Sequence, residues 1–354
     1  MSDESGAPGA EERADPLPDG RGSSSMLRAA AQILGFLVGL ALLVWCVKVA
    51  LRPENREQLS RFKEATAGEI AVILALSLAS LAANGAVFWV MVRPIKKIDV
   101  GGVLSTNALA TFLNYLPFKI GALARIVIHN RRDGVPVVTI GAWFGAVAAV
   151  LFVALIPPCA ATFWLKRVDA AWFAVCGAGV LGLGAVTVLM ARALDGEAGA
   201  GRLRRGLAFL PLGTKFAGSR FFGQAHAGMA ILSHAPTVGA GVALRLLDLG
   251  LQAARFVVIA HVLHQELAAG RALMATVAYF LTGVFSPGGM LGTREGVTAW
   301  LFGADGAESL AAAALLVGGA EMVTNLTGAA LGLAYLRPDR LMRWKRESAS
   351  GDKG

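Results

Sequence analysis

Charged side chains are scarce in this 354-residue sequence, and their scarcity argues against an ordinary soluble protein. Asp, Glu, Lys and Arg make up 16% of the residues, whereas soluble domains average about a quarter. Hydrophobic residues make up 55%, and they are gathered in runs long enough to cross a bilayer. The composition therefore predicts an all-α polytopic membrane protein.

The residue types that build metal centres and redox sites are also few. Cys46, Cys159 and Cys176 form an odd, isolated set, which predicts neither a disulfide framework nor a metal site. His261 and His264 are three residues apart without a visible third ligand, so we expect no metal there. No Gly-rich phosphate loop or nucleophile elbow is present. We therefore expect no cofactor, no direct use of ATP and no soluble catalytic machinery.

The apolar runs divide into six full-length spans and two interrupted pieces. The six spans, each of at least about 20 mostly apolar residues, are Met26–Leu51, Glu69–Val92, Val137–Pro157, Ala170–Leu194, Thr237–Leu263 and Ser309–Leu336. Residues 1–25 are rich in Ser, Gly, Pro, Asp and Glu, and this composition predicts a disordered tail. The organisation is thus a tail (1–25), a transmembrane domain (26–336) and a basic tail (337–354).

The two interrupted pieces each carry a break of proline and glycine. Val103–Ile128 breaks near Pro117 and Gly121, and Leu273–Phe302 breaks between Ser286 and Gly296. Such backbone is tolerated at membrane depth only where protein or a water-filled cavity covers it. Paired broken segments point to a midplane binding site in transporters. We predict two re-entrant helical hairpins; the alternative for the second break is an ordinary loop.

The distribution of Lys and Arg predicts the topology. The segments between spans two and three and between spans four and five, and the C-terminal tail, are all basic, so both termini are expected in the cytoplasm of a cell-membrane protein. Span five then ends on the outer side and the last span starts there, so both ends of the second broken piece lie on the outer side. The net charge of +9 follows this bias, so we expect no nucleic-acid partner. The first outer loop, with Arg52, Arg56, Arg61 and Lys63, runs against the rule.

Span five carries charges inside the membrane. Arg245, Asp248, Gln252 and Arg255 fall within about 80° of arc on a helix, and Arg245 can pair with Asp248 three residues away. The remaining positive charge could hold a phosphate through bidentate hydrogen bonds. The structural alternative is an interhelical salt bridge that fixes packing.

The last span carries Glu321 and Asn325 on one face. Glu321 could pair with Arg294 or with an arginine of span five, or relay protons, because charge inside a membrane is expensive and usually functional. A second polar face, lining a cavity or packing against a helix, comprises Tyr279, Thr282 and Ser286.

The two breaks resemble the signatures of a known family. Asn114–Arg125 is similar to the first signature of the flippase-like family that includes the transmembrane region of lysylphosphatidylglycerol synthases: Asn, Pro, a basic residue, Gly-Glu, then Arg. Ser286–Gly296 resembles its second signature, Ser-Pro-Gly-Gly-x-Gly-x-Arg-Glu-Gly. This chain has Gly121-Ala122 where the family has Gly-Glu, so any role of that carboxylate is absent or moved.

The resemblance covers about Leu27 to Leu336. It implies a bundle with re-entrant helices that moves polar-headed lipids between leaflets, without aminoacylation by this chain. The substrate would be a phospholipid, an aminoacylated phospholipid or a polyprenyl-phosphate-linked lipid. The expected substrate-binding residues are Asn114, Pro117, Lys119, Gly121, Arg125, Arg245, Asp248, Arg255, Ser286, Pro287, Gly288, Gly289, Gly292, Arg294, Glu295 and Glu321.

Two other functions stay open at this point. A membrane-embedded lipid-modifying enzyme, for glycosyl or aminoacyl transfer, would have Glu295 and Glu321 as its candidate acid–base groups. A noncatalytic subunit would partner such an enzyme. Membrane lipids are the expected partners in every case, and the oligomeric state is open.

Overall fold

The computed structural model describes residues 21–51, 60–116, 120–165, 167–207, 209, 220–286, 290–302 and 310–337. In these ranges the regular structure is one 3₁₀ turn (Phe62–Glu64) and twelve α-helices, without a strand. The helices are α1 (Arg21–Ala50), α2 (Ala67–Val92), α3 (Val100–Leu113), α4 (Ile120–Arg131), α5 (Val137–Leu165), α6 (Ala170–Leu194), α7 (Gly196–Leu207), α8 (Arg220–Ser233), α9 (Ala235–Val262), α10 (Ala269–Phe285), α11 (Thr293–Leu301) and α12 (Ala311–Leu336).

The six longest helices coincide with the six predicted spans. Four of them, α2, α5, α6 and α12, are long and apolar enough to cross a membrane, so the chain is a multi-pass membrane protein. Helix α9 has 28 residues and carries three charged side chains in its middle, at Arg245, Asp248 and Arg255. The sequence therefore predicts the six long helices closely, whereas it does not predict α7 and α8.

Two helices extend beyond their predicted ends. Helix α1 begins at Arg21, inside the tail predicted to be disordered, because each residue added to a formed helix gains a hydrogen bond. Helix α5 continues through Pro157 and Pro158 to Leu165. Neighbouring helices allow such prolines in membrane helices, and here a Cβ at Gly179 of α6 would lie 2.8 Å from the Pro157 Cβ. The missing side chain at Gly179 makes room for the proline ring.

Side-chain caps fix where several helices begin. Thr66 and Glu69 form a capping box at the start of α2, which satisfies two backbone N–H groups that the helix leaves free. Asp99 caps α3 by accepting from the Gly102 N–H at 2.7 Å. The same carboxylate accepts from the Tyr335 hydroxyl at 2.8 Å, and these hydrogen bonds lower the pKa of Asp99. Asp99 therefore ties the start of α3 to the end of α12.

Helices α3 and α4 form an antiparallel pair, here called hairpin A. Arg132, just after α4, lies 3.3 Å from Asp99, just before α3. Nearer the tip, Arg125 donates to the Asn107 side chain at 2.7 Å. At the tip a side chain on Gly121 would overlap the Ala110 carbonyl oxygen. Both ends of hairpin A therefore lie on the same side of the bundle.

Helices α10 and α11 form a second antiparallel pair, here called hairpin B. Arg271, near the start of α10, donates to the carbonyl of Phe302, just after α11, at 3.0 Å. At the tip, Ser286 donates to Thr293 at 3.3 Å. The ends of hairpin B also lie together, and the tip is the predicted break.

The two hairpins enter from opposite ends of the bundle. Hairpin A starts at the end where Tyr335 meets Asp99, which we call the basic end. Hairpin B starts at the other end, where Arg61 donates to the Leu263 carbonyl. The described basic residues at or near the basic end are Arg93, Lys96, Lys97, Arg131, Arg132, Arg192, Arg202, Arg204, Arg205 and Arg337.

Four apolar clusters form the core among the described residues, and two of them lie on either side of the hairpin tips. Toward the basic end, Trp143 and Val150 of α5 pack with Met91 of α2. Toward the other end, Phe256 of α9 packs with Val317 of α12. The hairpin tips thus lie between two layers of apolar side chains.

Gly328 and Gly332 let α12 approach its neighbours closely, as their spacing predicts. A Cβ at Gly328 would lie 2.9 Å from Leu81 of α2, and one at Gly332 would lie 2.8 Å from the Ser105 carbonyl oxygen of hairpin A. The position of hairpin A against α12 therefore depends on the absence of a side chain at Gly332.

Gly332→Ala should lower the stability of the purified protein by about 1–3 kcal/mol, because backbone would have to move to admit the new carbon. The matched control is Gly319→Ala in the same helix, where a Cβ would meet nothing within 4 Å. Thermal unfolding in detergent measures both. Equal melting temperatures for the two variants would contradict the close contact.

Candidate functional site

The tips of hairpins A and B meet inside the bundle. The Met290 N–H donates to the Asn114 carbonyl at 3.1 Å, which joins the two predicted breaks directly. Ser286 is buried where α10 ends, and Gly292, which precedes α11, has a φ of +75° that favours glycine. The remaining residues predicted at the breaks lie outside the described residues: Pro117, Lys119, Pro287, Gly288 and Gly289.

A polar cavity lies beside the hairpin tips. Its volume is about 70 Å³, and it is bounded by α2, α3, α9, α10, α12 and the tip of hairpin B. Three charged side chains line it: Asp248, Arg294 and Glu321. Its uncharged polar lining comprises Ser77, Ser80, Asn84, Thr111, Gln252 and Asn325. The cavity therefore brings together predicted site residues from three helices that are distant in sequence.

Glu321 lies between two arginines. Arg294 of α11 donates to one carboxylate oxygen at 2.7 Å, and Arg255 of α9 forms a salt bridge with the other. Arg255 also donates to Ser77 of α2 at 3.0 Å. The sequence left open whether Glu321 would pair with Arg294 or with an arginine of span five, and the structure shows that it pairs with both.

Two tyrosines enclose the Arg294 guanidinium. Its centre lies 4.3 Å from the Tyr279 ring centroid, a distance at which cation–π attraction is effective. Arg294 also donates to the Tyr115 hydroxyl at 3.2 Å, and Asn325 donates to the same hydroxyl at 3.2 Å. Both hairpins and α12 therefore fix Arg294 at the cavity wall.

A second ion pair lies on the opposite wall. Arg245 donates to Asp248 at 2.8 Å, as their spacing predicts, and to Asn84 of α2 at 3.1 Å. Asp248 also accepts from Ser80 at 2.6 Å and from Gln252 at 3.0 Å. The polar stripe of α9 is thus paired along its length with α2.

Arginine Nε–H groups at the site lack partners. Those of Arg245, Arg255 and Arg294 are buried and have no hydrogen-bond partner among the described residues. Buried donors are normally satisfied, and each exception needs a physical explanation. The site therefore keeps spare donor capacity despite its internal ion pairs.

Most of the predicted site residues that the structure describes do not line the cavity: Asn114, Gly121, Arg125, Arg245, Arg255, Ser286, Gly292 and Glu295. Arg125 stacks over the Phe88 ring at 3.8 Å and holds hairpin A together through Asn107. Glu295 is 3% exposed, and one of its oxygens accepts from the Tyr279 hydroxyl at 3.1 Å. Its contacts make it a packing partner within hairpin B and α12, where a Cβ at Gly318 would collide with it.

Sequence reasoning missed the polar wall of α2. Ser77, Ser80 and Asn84 are single polar residues within an apolar run, and each alone resembles ordinary packing. Their spacing of three and four residues places them on one helical face, and this periodicity was the available signal. Among the described residues, no group of three or more His, Cys, Asp and Glu side chains could hold a metal ion.

Comparison with known proteins gives one family. The model of the family described as "Lysylphosphatidylglycerol synthase TM region" matches residues 32–331, a stretch that includes both hairpins and every residue that lines the cavity. No curated protein and no solved structure matches the chain. Because the match covers well over half of the sequence, the chain belongs to the lysylphosphatidylglycerol synthase transmembrane-region family.

Proposed function

We propose that this protein moves a polar-headed lipid between the leaflets of the cell membrane. The observation that carries the proposal is the charged cavity at the meeting point of two helical hairpins inside an apolar bundle. Polar and charged groups are costly in hydrocarbon, so a lipid headgroup crosses more easily where protein supplies polar partners. Membership of a membrane lipid-related family supports the same conclusion.

We also propose that both hairpins are re-entrant and that the basic end faces the cytoplasm. Helices α3 and α4 have 14 and 12 residues, or about 21 and 18 Å, which is less than the roughly 30 Å of a bilayer core. Helices α10 and α11, with 17 and 9 residues, are also short for a crossing. With α1 and α9 added to the four apolar spans, the chain would cross six times and place both termini on the cytoplasmic side.

The headgroup would bind through its phosphate at Arg294. Without a lipid, Glu321 pairs with both Arg294 and Arg255, which leaves one positive charge in excess for a phosphate to balance. When a phosphate binds Arg294 in place of Glu321, Glu321 still pairs with Arg255, so no buried charge is left unpaired. The phosphate would also accept a hydrogen bond from the free Arg294 Nε–H, and the Asn325 amide lines the same cavity.

Other predicted site residues would act by holding the cavity in shape. Arg245 and Asp248 join α9 to α2, Arg125 holds hairpin A together, and Gly121 allows its two helices to approach closely. We therefore propose that Arg294, Glu321 and Asp248 face the lipid and that the others position them.

Transport fits this geometry better than lipid modification does. An acid–base enzyme needs a carboxyl group that reaches its substrate and is free to exchange a proton with it. Glu295 is 3% exposed, and Glu321 is held by two arginines. We therefore propose that the chain is not itself an enzyme and that any lipid-modifying activity belongs to a separate partner.

Purified protein in liposomes should move head-labelled phosphatidylglycerol across the bilayer, and Arg294→Ala should slow this movement about 10- to 100-fold. The loss corresponds to charge-assisted hydrogen bonds of about 1.5–3 kcal/mol, at about 1.36 kcal/mol per tenfold. Arg294→Ala should fold, because Glu321 keeps Arg255. Chemical reduction of the exposed label over time measures the rate.

The matched control is Arg167→Ala, which removes a guanidinium whose side chain is 74% exposed and should leave the rate unchanged. Arg294→Lys keeps the positive charge but cannot form bidentate hydrogen bonds to a phosphate, so we expect a lipid-transport rate between those of the wild type and Arg294→Ala. Wild-type transport by folded Arg294→Ala would show that Arg294 does not bind the headgroup.

Labelling of single cysteines from each face of the membrane should show that both hairpins are re-entrant. In a background without Cys46, Cys159 and Cys176, Lys97→Cys and Arg131→Cys flank hairpin A. Both should react with an impermeant maleimide only from the cytoplasmic face. Glu266→Cys and Trp300→Cys, at the ends of hairpin B, should react only from outside. Labelling of the two ends of either hairpin from opposite faces would show that it crosses the membrane.

A further inference from the structure

Glu295 is a buried carboxyl group that its packing contacts leave half satisfied. One of its oxygens accepts from the Tyr279 hydroxyl at 3.1 Å. The other, Oε2, is buried and has no hydrogen-bond partner among the described residues, and no salt bridge joins Glu295 to any of those residues. Buried carboxylates are normally paired and hydrogen-bonded, so this exception requires a physical explanation.

Tyr279 connects Glu295 to the proposed phosphate site. Its hydroxyl contacts Glu295, and its ring centroid lies 4.3 Å from the centre of the Arg294 guanidinium. Arg294 and Glu295 are consecutive residues in the first turn of α11, and their charges interact. Arg294 lines the polar cavity, whereas Glu295 does not. Glu295 therefore lies behind the phosphate site, where its charge state responds to the charge at Arg294 without contact with the ligand.

The other titratable groups around Glu295 are poorly suited to change their charge. Helix α1 contributes Cys46, α10 contributes Tyr279, and hairpin A contributes Tyr115, which contacts the neighbouring arginine. Thiols and phenols are ordinarily neutral at neutral pH. Helix α12 contributes Glu321, which two arginines hold as an anion. Among the described residues of this region, Glu295 is therefore the carboxyl group best placed to gain or lose a proton.

The charges of the site balance in two alternative ways. Arg255 and Arg294 carry two positive charges against the one negative charge of Glu321. Without a ligand, an ionised Glu295 balances the remaining positive charge, and the positive end of the α11 helix dipole favours this anion. With a phosphate monoanion at Arg294, Glu295 would be a second anion beside the same positive charge, which favours its protonated form. The empty and loaded sites have the same net charge only when the phosphate enters with one proton.

We infer that Glu295 is a proton-binding site that takes up one proton when the phosphate of a lipid headgroup binds Arg294. The proton would occupy Oε2, the oxygen without a partner, while the Tyr279 hydroxyl keeps its hydrogen bond to the other oxygen. Thr298 lies one turn further on the same face of α11, and its buried hydroxyl also lacks a partner among the described residues. This hydroxyl is available to accept from the new O–H. The inference rests on the proposed lipid translocation and couples it to protons.

Proton and headgroup must strengthen each other's binding equally, because the coupling between two sites is reciprocal. One linked proton raises the affinity for the headgroup by up to about tenfold for each unit by which the pH falls. This holds over the range in which Glu295 is ionised in the empty site and protonated in the loaded one. A pH gradient would then drive the headgroup toward the alkaline side of the membrane.

Calorimetry of headgroup binding tests the inference. Purified protein in detergent is titrated with dioctanoyl phosphatidylglycerol in two buffers of different ionisation enthalpy, at several pH values from mildly acidic to mildly alkaline. The difference in heat gives the number of protons taken up per lipid. Wild-type protein should take up as much as one proton, with an affinity that rises as the pH falls. Glu295→Gln, which resembles the protonated form, should bind without proton uptake and without this pH dependence.

Two further variants separate the proton site from a general effect of substitution. Glu266→Gln removes an exposed carboxyl group outside the site and should retain the proton uptake of the wild type. Tyr279→Phe removes the hydrogen bond that stabilises the ionised form of Glu295, so the range of proton uptake should move to higher pH. Thermal unfolding verifies that each variant is folded.

The outcomes distinguish failure of the proton site from failure of translocation. Proton uptake that persists in Glu295→Gln, or wild-type binding that responds to Na⁺ and not to pH, overturns the inference. Absence of binding overturns it together with the headgroup site. Binding does not require transport, so proton uptake by protein that moves no lipid in liposomes would count against translocation and leave the proton site intact. Lipid movement without proton uptake would have the opposite meaning.

Discussion

The carboxylate of Glu321, shared by Arg255 and Arg294, is the interaction on which the site depends. It ties α12 to α9 and to hairpin B at the wall of the cavity, where the surrounding helices largely bury all three side chains. Charges buried there must be paired, and removing one partner typically costs about 3–5 kcal/mol. Tyr115 extends the tie to hairpin A. Glu321 therefore fixes the tip of hairpin B directly, through Arg294, and the tip of hairpin A only through the Arg294–Tyr115 contact.

Glycine makes this arrangement possible at backbone level. The tip of hairpin B packs on α1, where a Cβ at Gly39 would lie 2.9 Å from the Leu291 carbonyl oxygen. Hairpin A needs Gly121 for the same reason. Membrane helices lack a strong hydrophobic drive to associate and depend on such close contacts. Small residues thus bring the broken segments together, and the ion pairs then fix which side chains face the cavity.

The sequence predicts the helices and their pairings better than it predicts the lining of the cavity. Hydrophobic runs predict the long helices. The three-residue spacing of Arg245 and Asp248 predicts that these two side chains pair with each other. The crossing of α2 and α9 cannot be read from either helix alone, so Ser77, Ser80 and Asn84 were missed. The direction in which Glu295 points depends on contacts with Tyr279 and Gly318, which only the folded chain brings together.

Lipid translocation by this bundle requires the headgroup to pass through the cavity, and filling the cavity tests this directly. Thr111 of α3 lines the cavity, and Thr111→Phe would occupy the space without removing a charge. The measurement is the rate at which head-labelled phosphatidylglycerol crosses liposomes that contain this variant, with its folding verified by thermal unfolding. If the headgroup passes through the cavity, transport should stop in this variant. Transport at the wild-type rate would contradict it and place the route elsewhere in the bundle.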